Sequence, residues 1–191
     1  MEFIAGILAV AVFQNALLTR ALGASAVSQI ARNKKSFPKF FVGILYMTTV
    51  MGLLCYLCDR AWGDRGSARI FLPVIYIIAL GLVYILTLIC LWWFMYNTFK
   101  KMRKYIHISA INGAVLGSVL LNSQNSNTLF EYVTLSIGTG LGFMLAVYLV
   151  GAAYDKIYSE DAPYLTRGYP LLLIYIGILG MAFFGFTGGR L

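Results

Sequence analysis

Few residues in this sequence carry reactive groups, and their spacing limits what they can do. Cys55 and Cys58 form a C-x-x-C pair. That is the spacing of a redox dithiol or of half a zinc site, but a tetrahedral metal needs a third and a fourth ligand, and none stands near in the sequence. The plainer reading is two small apolar side chains at a helix end; a disulfide between them would be strained in a helix, although an oxidising compartment keeps a redox role open. Cys90 and His107 each stand alone, and His107 reads as a structural imidazole near a membrane boundary. All seven carboxylates, Glu2, Asp59, Asp64, Glu131, Asp155, Glu160 and Asp161, fall at the ends of apolar runs or between them. No carboxylate relay for a proton or cation is therefore expected inside an apolar segment. No nucleophile, base and oxyanion donors come together in a motif, and no glycine-rich loop follows a strand. No catalytic residue and no metal ligand is assigned.

What remains is a pattern of polar interruptions. "AINGAVLGSVLLNS", Ala110 to Ser123, is apolar enough for a membrane, yet its uninterrupted run, Ala114 to Leu121, is far short of the roughly 20 residues a bilayer core requires. A related stretch, "NALLTRALGAS", starts at Asn15. In each, an asparagine is followed by small residues and leucines. Arg20, inside the earlier stretch, is the one charge within an apolar segment, and such a residue must face protein, water or headgroups.

The elements that carry these stretches follow from composition. The chain is 60% hydrophobic and 12% charged, with a mean hydropathy of +0.80, which excludes a soluble domain of this length. Charge-free runs recur at Phe3 to Thr19, Phe40 to Cys58, Ile70 to Phe99, Tyr105 to Phe130, Tyr132 to Tyr154 and Gly168 to Gly189. Six membrane helices are expected, since unpaired backbone groups are not tolerated in hydrocarbon and strand-like alternation is absent. Ala24-Ser25-Ala26 mimics a signal-peptide cleavage site, but Glu2 replaces a basic leader, so the first segment is read as retained.

The fold expected is all-α: one membrane domain, 1–191, of two inverted three-helix repeats, about 1–97 and 98–191. Helices one and four are the broken ones, with Asn15, Gly23, Asn112 and Gly117 at the interruptions. An alternative stays open, in which Asn15 and Asn112 only hydrogen-bond between helices and Gly113 with Gly117 forms a packing GxxxG. Gly138, Gly140, Gly142, Gly177 and Gly180 read as packing glycines.

The net charge of +8 invites a nucleic-acid reading, but its distribution follows topology instead. Arg32, Lys34, Lys35, Lys39, Lys100, Lys101, Arg103, Lys104, Lys156 and Arg167 fall on one side of six spans, and Arg60, Arg65, Arg69 and Arg190 on the other. The positive-inside rule makes the richer side cytoplasmic and puts both termini outside. Trp92, Trp93 and Tyr96 stand where an aromatic belt is expected, just before the basic stretch at Lys100.

"FQNALLTRALG" (Phe13 to Gly23), "INGAVLG" (Ile111 to Gly117) and "RGYPLLLIYIGILGMAFFGFTG" (Arg167 to Gly188) resemble the paired six-helix membrane subunits of the Rnf and Nqr complexes, which couple electron transfer to sodium or proton translocation. The resemblance covers the whole chain, and the outward termini match the RnfA/NqrE-like branch. It implies a two-iron two-sulfur cluster at mid-membrane between two oppositely oriented partners, each supplying one cysteine from its first broken helix and one from its fourth. Those positions fall at or beside Ser25 and at Gly113, and neither is a cysteine; iron in such a cluster needs thiolate or imidazole. The resemblance thus implies a membrane subunit of an ion-translocating oxidoreductase complex of the bacterial cytoplasmic (inner) membrane, with no cofactor bound by this chain alone. Its partners would be an oppositely oriented six-helix paralogue and subunits bearing flavin and iron–sulfur groups. The alternatives are a non-redox transporter or channel for a small ion or solute on the same fold, and an assembly scaffold.

Overall fold

The computed structural model describes residues 2–33, 36–62, 71–126, 128–160 and 163–186. Lys34, Lys35, Asp64, Arg65, Arg69, Asp161 and Arg190, which enter the charge distribution, lie outside the described residues. Among the described residues the chain is all helix: α1 Glu2–Val12, α2 Ala16–Arg20, α3 Ala24–Ala31, α4 Phe37–Trp62, α5 Leu72–Phe94, α6 Tyr96–Ala110, α7 Gly113–Asn125, α8 Leu129–Ile157 and α9 Tyr169–Phe186. Four segments have the length and apolarity of membrane spans: Phe3–Arg20, Phe37–Ala61, Leu72–Phe94 and Leu129–Ile157. A fifth is the pair α6 and α7, bent by 52° at its break, and Tyr169–Gly185 is a shorter apolar helix. The chain is a multi-pass membrane protein. A broken segment followed by two further helices occurs twice along it, in keeping with two three-segment repeats.

The long helix α8 is the post around which the others stand, with α1, α2, α3, α4, α7 and α9 all packed against it. Its start is fixed by a capping box: the Thr128 hydroxyl accepts from the Glu131 N–H at 3.3 Å, and the Glu131 carboxylate accepts from the Thr128 N–H at 3.3 Å. Hydrophobic burial drives little association between helices in lipid, so close approach depends on small residues. A side chain at Gly138 would strike Val10, one at Gly142 would sit 2.7 Å from the Ala11 carbonyl oxygen, and one at Gly140 would sit 2.8 Å from the Thr48 hydroxyl. These glycines seat α1 on one flank of α8 and α4 on the next. Gly180 similarly lets α9 approach the Leu18 carbonyl of α2, whereas Gly177 has nothing within 4 Å and takes no part in packing, contrary to expectation.

The third apolar run also ends differently from the reading Ile70 to Phe99. Helix α5 stops at Phe94, Met95 leaves helical geometry at φ −143° and ψ 62°, and α6 starts at once. Lys100, Lys101, Arg103 and Lys104 are consequently on the first turns of a helix, not in a loop. Two of these cations lie over aromatic rings one turn earlier on the same helix: the Lys100 ammonium is 4.6 Å from the Tyr96 ring centre and the Arg103 guanidinium 5.9 Å from that of Phe99.

The two glycines on α8 and α9 give opposite expectations. Gly142→Ala forces a methyl against the backbone of α1 and should lower stability by about 1–3 kcal/mol. Gly177→Ala meets open space and should change it by less than about 0.5 kcal/mol. Unfolding of the two variants in mixed micelles, followed by circular dichroism, measures the difference.

Candidate functional site

Both interruptions expected from the sequence are real breaks, and they meet. Helix α1 ends at Val12 and α2 starts at Ala16, with fully buried Asn15 between them. The Asn15 Oδ1 accepts from the N–H groups of Leu17 at 3.1 Å and Leu18 at 3.3 Å, capping α2. Its Nδ2 donates back to the Ala11 carbonyl at 3.1 Å and across to the Gly142 carbonyl of α8 at 2.7 Å. One side chain thus satisfies backbone groups on three helices. The segment breaks again five residues later. Ala21 takes a left-handed conformation at φ 53°, and Gly23 follows at φ +86° to cap α3 without a side chain. Only glycine adopts the latter readily, and here it also has no room for a side chain.

The second break uses the same residue type in the same way. Asn112, 3% exposed, is extended at φ −127° and ψ 126° and caps α7, its Oδ1 accepting from the Ala114 N–H at 3.1 Å. Unlike Asn15, its Nδ2 meets no acceptor among the described residues. A side chain at Gly23 would sit 2.5 Å from the Asn112 Oδ1 and 2.7 Å from Phe143, and one at Gly113 would sit 3.2 Å from the Gly23 backbone nitrogen. Phe143 is the midpoint of the 29-residue α8. The two breaks therefore abut half-way along the longest helix. Gly117 is not at a break; it lies one turn inside α7 and makes room for Leu22.

Part of this region opens outward. Phe13, Gln14, Arg20, Ala21, Ser25, Ile111 and Gly113 are all exposed, Ile111 to 69%. Helices α3 and α7 start here, and the positive ends of both helix dipoles lie close together, a Cβ at Gly113 standing 3.2 Å from the Gly23 nitrogen. Arg20 adds a full positive charge at the end of α2. A bilayer does not tolerate such a surface against its hydrocarbon.

Ser25, in the first turn of α3, and Gly113, the first residue of α7, supply neither thiolate nor imidazole, so this chain does not fit an iron–sulfur cluster at these positions. The cysteines stand elsewhere: Cys55 is buried on α4 with its thiol donating to the Val119 carbonyl at 3.4 Å, Cys58 is half-buried, and Cys90 is exposed on α5. All three are free thiols. Among the described residues no group of three metal-ligating side chains forms. His107 meets the Tyr84 hydroxyl through Nδ1 at 3.0 Å.

A second polar cluster was not visible in the sequence. Asp59, read as a residue at a segment end, is half-buried and shared by four helices. Its Oδ1 accepts from the Tyr76 hydroxyl of α5 and, at 3.2 Å, from the Ser123 hydroxyl of α7. Its Oδ2 accepts from the Tyr132 hydroxyl of α8 at 2.6 Å and from the Cys55 thiol, one turn earlier on α4, at 3.5 Å. No signal for it stood in the sequence, because its members come from four helices far apart in the chain. One turn deeper, the Asn122 amide donates to the Ser136 hydroxyl at 2.7 Å, beside Gly52.

Comparisons with known proteins bear on the whole chain. The A-type component of the ion-translocating oxidoreductase complex of Pasteurella multocida is 26% identical over 187 residues, 98% of this chain and 97% of that protein. Its counterpart in the Na(+)-translocating ferredoxin:NAD(+) oxidoreductase complex of Acetobacterium woodii is 24% identical over 177 residues, covering 93% and 92%. The A-type component of the ion-translocating oxidoreductase complex of Alkalilimnicola ehrlichii is 37% identical over 84 residues, 44% of each chain. The family model described as "Rnf-Nqr subunit, membrane protein" matches residues 3–189. With a match of that extent, two helix breaks abutting at mid-span and a multi-pass helical fold, the chain belongs to the Rnf-Nqr membrane subunit family.

Proposed function

We propose that this chain is a membrane subunit of an ion-translocating electron-transfer complex and that it forms the wall of the ion or electron path without carrying electrons itself. The likeness to the A-type component of such a complex along 98% of the chain carries this reading. The geometry supports a partner within the membrane. Exposed Gln14 and Arg20 lie on the same broken segment as Gly23, whose turn meets Phe143 and the start of α7, and polar groups there need protein over them. An oppositely oriented six-helix paralogue fits that need, because its own two breaks would meet these at the same depth. The charge distribution supports both termini outside the bacterial cytoplasmic membrane, with Lys100 to Lys104 and Lys156 inside.

With Ser25 and Gly113 at the positions where the resemblance implies ligands, the chain contributes no thiolate, and flavins and any cluster belong to other subunits. A transporter or channel on the same fold is the rival reading.

Gentle detergent pull-down of this chain from its native membrane, with mass spectrometry and iron and flavin analysis, separates the two. We expect co-purification of redox subunits and of a second six-helix membrane protein; a colourless, metal-free protein recovered alone would favour the transporter. A Ser25→Cys, Gly113→Cys double variant probes the ancestral site. A Cβ at Gly113 finds the Gly23 nitrogen at 3.2 Å, a contact that a few tenths of an ångström relieves. The complex carrying both thiols should therefore gain iron, read by atomic absorption and by a cluster electron-paramagnetic-resonance signal. A folded complex with no gain would mean that the site has been remodelled.

A further inference from the structure

Arg20 is the one charge within an apolar segment, and it closes the five-residue helix α2 with its side chain exposed. Its backbone is tethered before and after. Asn15, five residues earlier, donates to the Gly142 carbonyl of α8 at 2.7 Å; the Leu18 carbonyl, two residues earlier, lies against Gly180 of α9; Gly23, three residues later, turns against Phe143 of α8. Arg20 is therefore held within the length of one short helix, roughly 7.5 Å, of the middle of α8. Glu131 and Asp155 are the first charges met along α8 from there, each 12 residues from Phe143, which is about 18 Å of helix. Those two carboxylates belong outside the hydrocarbon. An apolar layer about 30 Å thick between them encloses Arg20, and a cation exposed there needs an opposite charge in contact with it.

The described part of this chain does not supply that charge. Asp59 is held by Tyr76, Ser123, Tyr132 and Cys55 near the end of α4. Glu131 stands in the capping box at the start of α8, and Asp155 and Glu160 stand at or beyond its other end. The carbonyl end of α2 faces Arg20 with a partial negative charge at most, and the nearby starts of α3 and α7 oppose it with positive dipole ends. The opposite charge must therefore come from a neighbour. The guanidinium carries its donors in a rigid fork that a carboxylate meets with two parallel bonds, and the pair leaves no net charge in the hydrocarbon.

We infer that Arg20 forms an ion pair, inside the membrane, with a carboxylate of the polypeptide that covers the breaks. The inference rests on the complex-subunit reading and adds a chemical requirement to it: the neighbour carries an aspartate or glutamate within one of its own spans, against Arg20. Arg20→Lys keeps the charge and supplies an amine. Dicyclohexylcarbodiimide, which reacts with carboxyl groups inside membranes, joins that amine to a touching carboxylate as an amide and leaves as its urea. In native membranes holding the complex, Arg20→Lys should give a cross-linked species that the wild type and Arg20→Gln lack, and peptide mass spectrometry should find position 20 bonded to an acidic residue of a second multi-span polypeptide. Arg20→Glu, which sets two carboxylates together, should lower the amount of that polypeptide recovered with the chain about ten-fold, while Arg20→Lys recovers it near the wild-type level. If the wild-type chain brings down its neighbour but position 20 links to no carboxylate outside this chain, or Arg20→Glu recovers the neighbour undiminished, the ion pair is overturned and the complex-subunit reading stands. A wild-type chain recovered without any membrane neighbour overturns both.

Discussion

A helix broken inside hydrocarbon must pair its freed backbone groups within the protein, and one asparagine amide meets that demand for the first segment. Asn15 caps α2 through its oxygen, and its nitrogen joins the end of α1 to the middle of α8. The bond to the Gly142 carbonyl requires the α1–α2 junction to lie against α8, and that is possible only where α8 has no side chains. Gly138 and Gly142 supply the gap. The capping box at Thr128, by fixing where α8 starts, also fixes the depth at which the break is held. Remove the amide and several buried polar groups lose partners together, each costing about 1–3 kcal/mol.

The second break depends on the first through contact. Gly23, turning at φ +86°, brings its backbone against Asn112 and Gly113, and any larger residue at position 23 would push the two breaks apart. Asn112 repeats the cap of Asn15 but leaves its Nδ2 without an acceptor among the described residues. The two halves are thus alike in how each helix is restarted and unlike in how completely the restart is satisfied. The less satisfied half lies beside the exposed residues Ser25, Ile111 and Gly113.

Much of this was legible in the sequence because the causes are local. Asparagine followed by small residues marks a cap, a run of about 20 apolar residues marks a span, and both survive unchanged in the folded chain. Helical segments, the breaks near Asn15, Gly23 and Asn112, and the absence of thiols at Ser25 and Gly113 came directly from residue types. The end of the third apolar run did not, because no residue type marks Met95 as the place where α5 stops and α6 starts. Gly117 and Gly177 look alike in sequence, yet one faces Leu22 and the other faces nothing. The Asp59 cluster depends on side chains from four helices far apart in the chain, and no local pattern encodes such a meeting.

The central claim is that the face where the two breaks open is covered by protein within the membrane. A photo-reactive benzoylphenylalanine at Ile111, 69% exposed beside Asn112, with a control at Ile78 on α5, tests it in native membranes. The account predicts that irradiation joins position 111, but not position 78, to a second multi-span polypeptide. Adducts with lipid alone at both positions would contradict it.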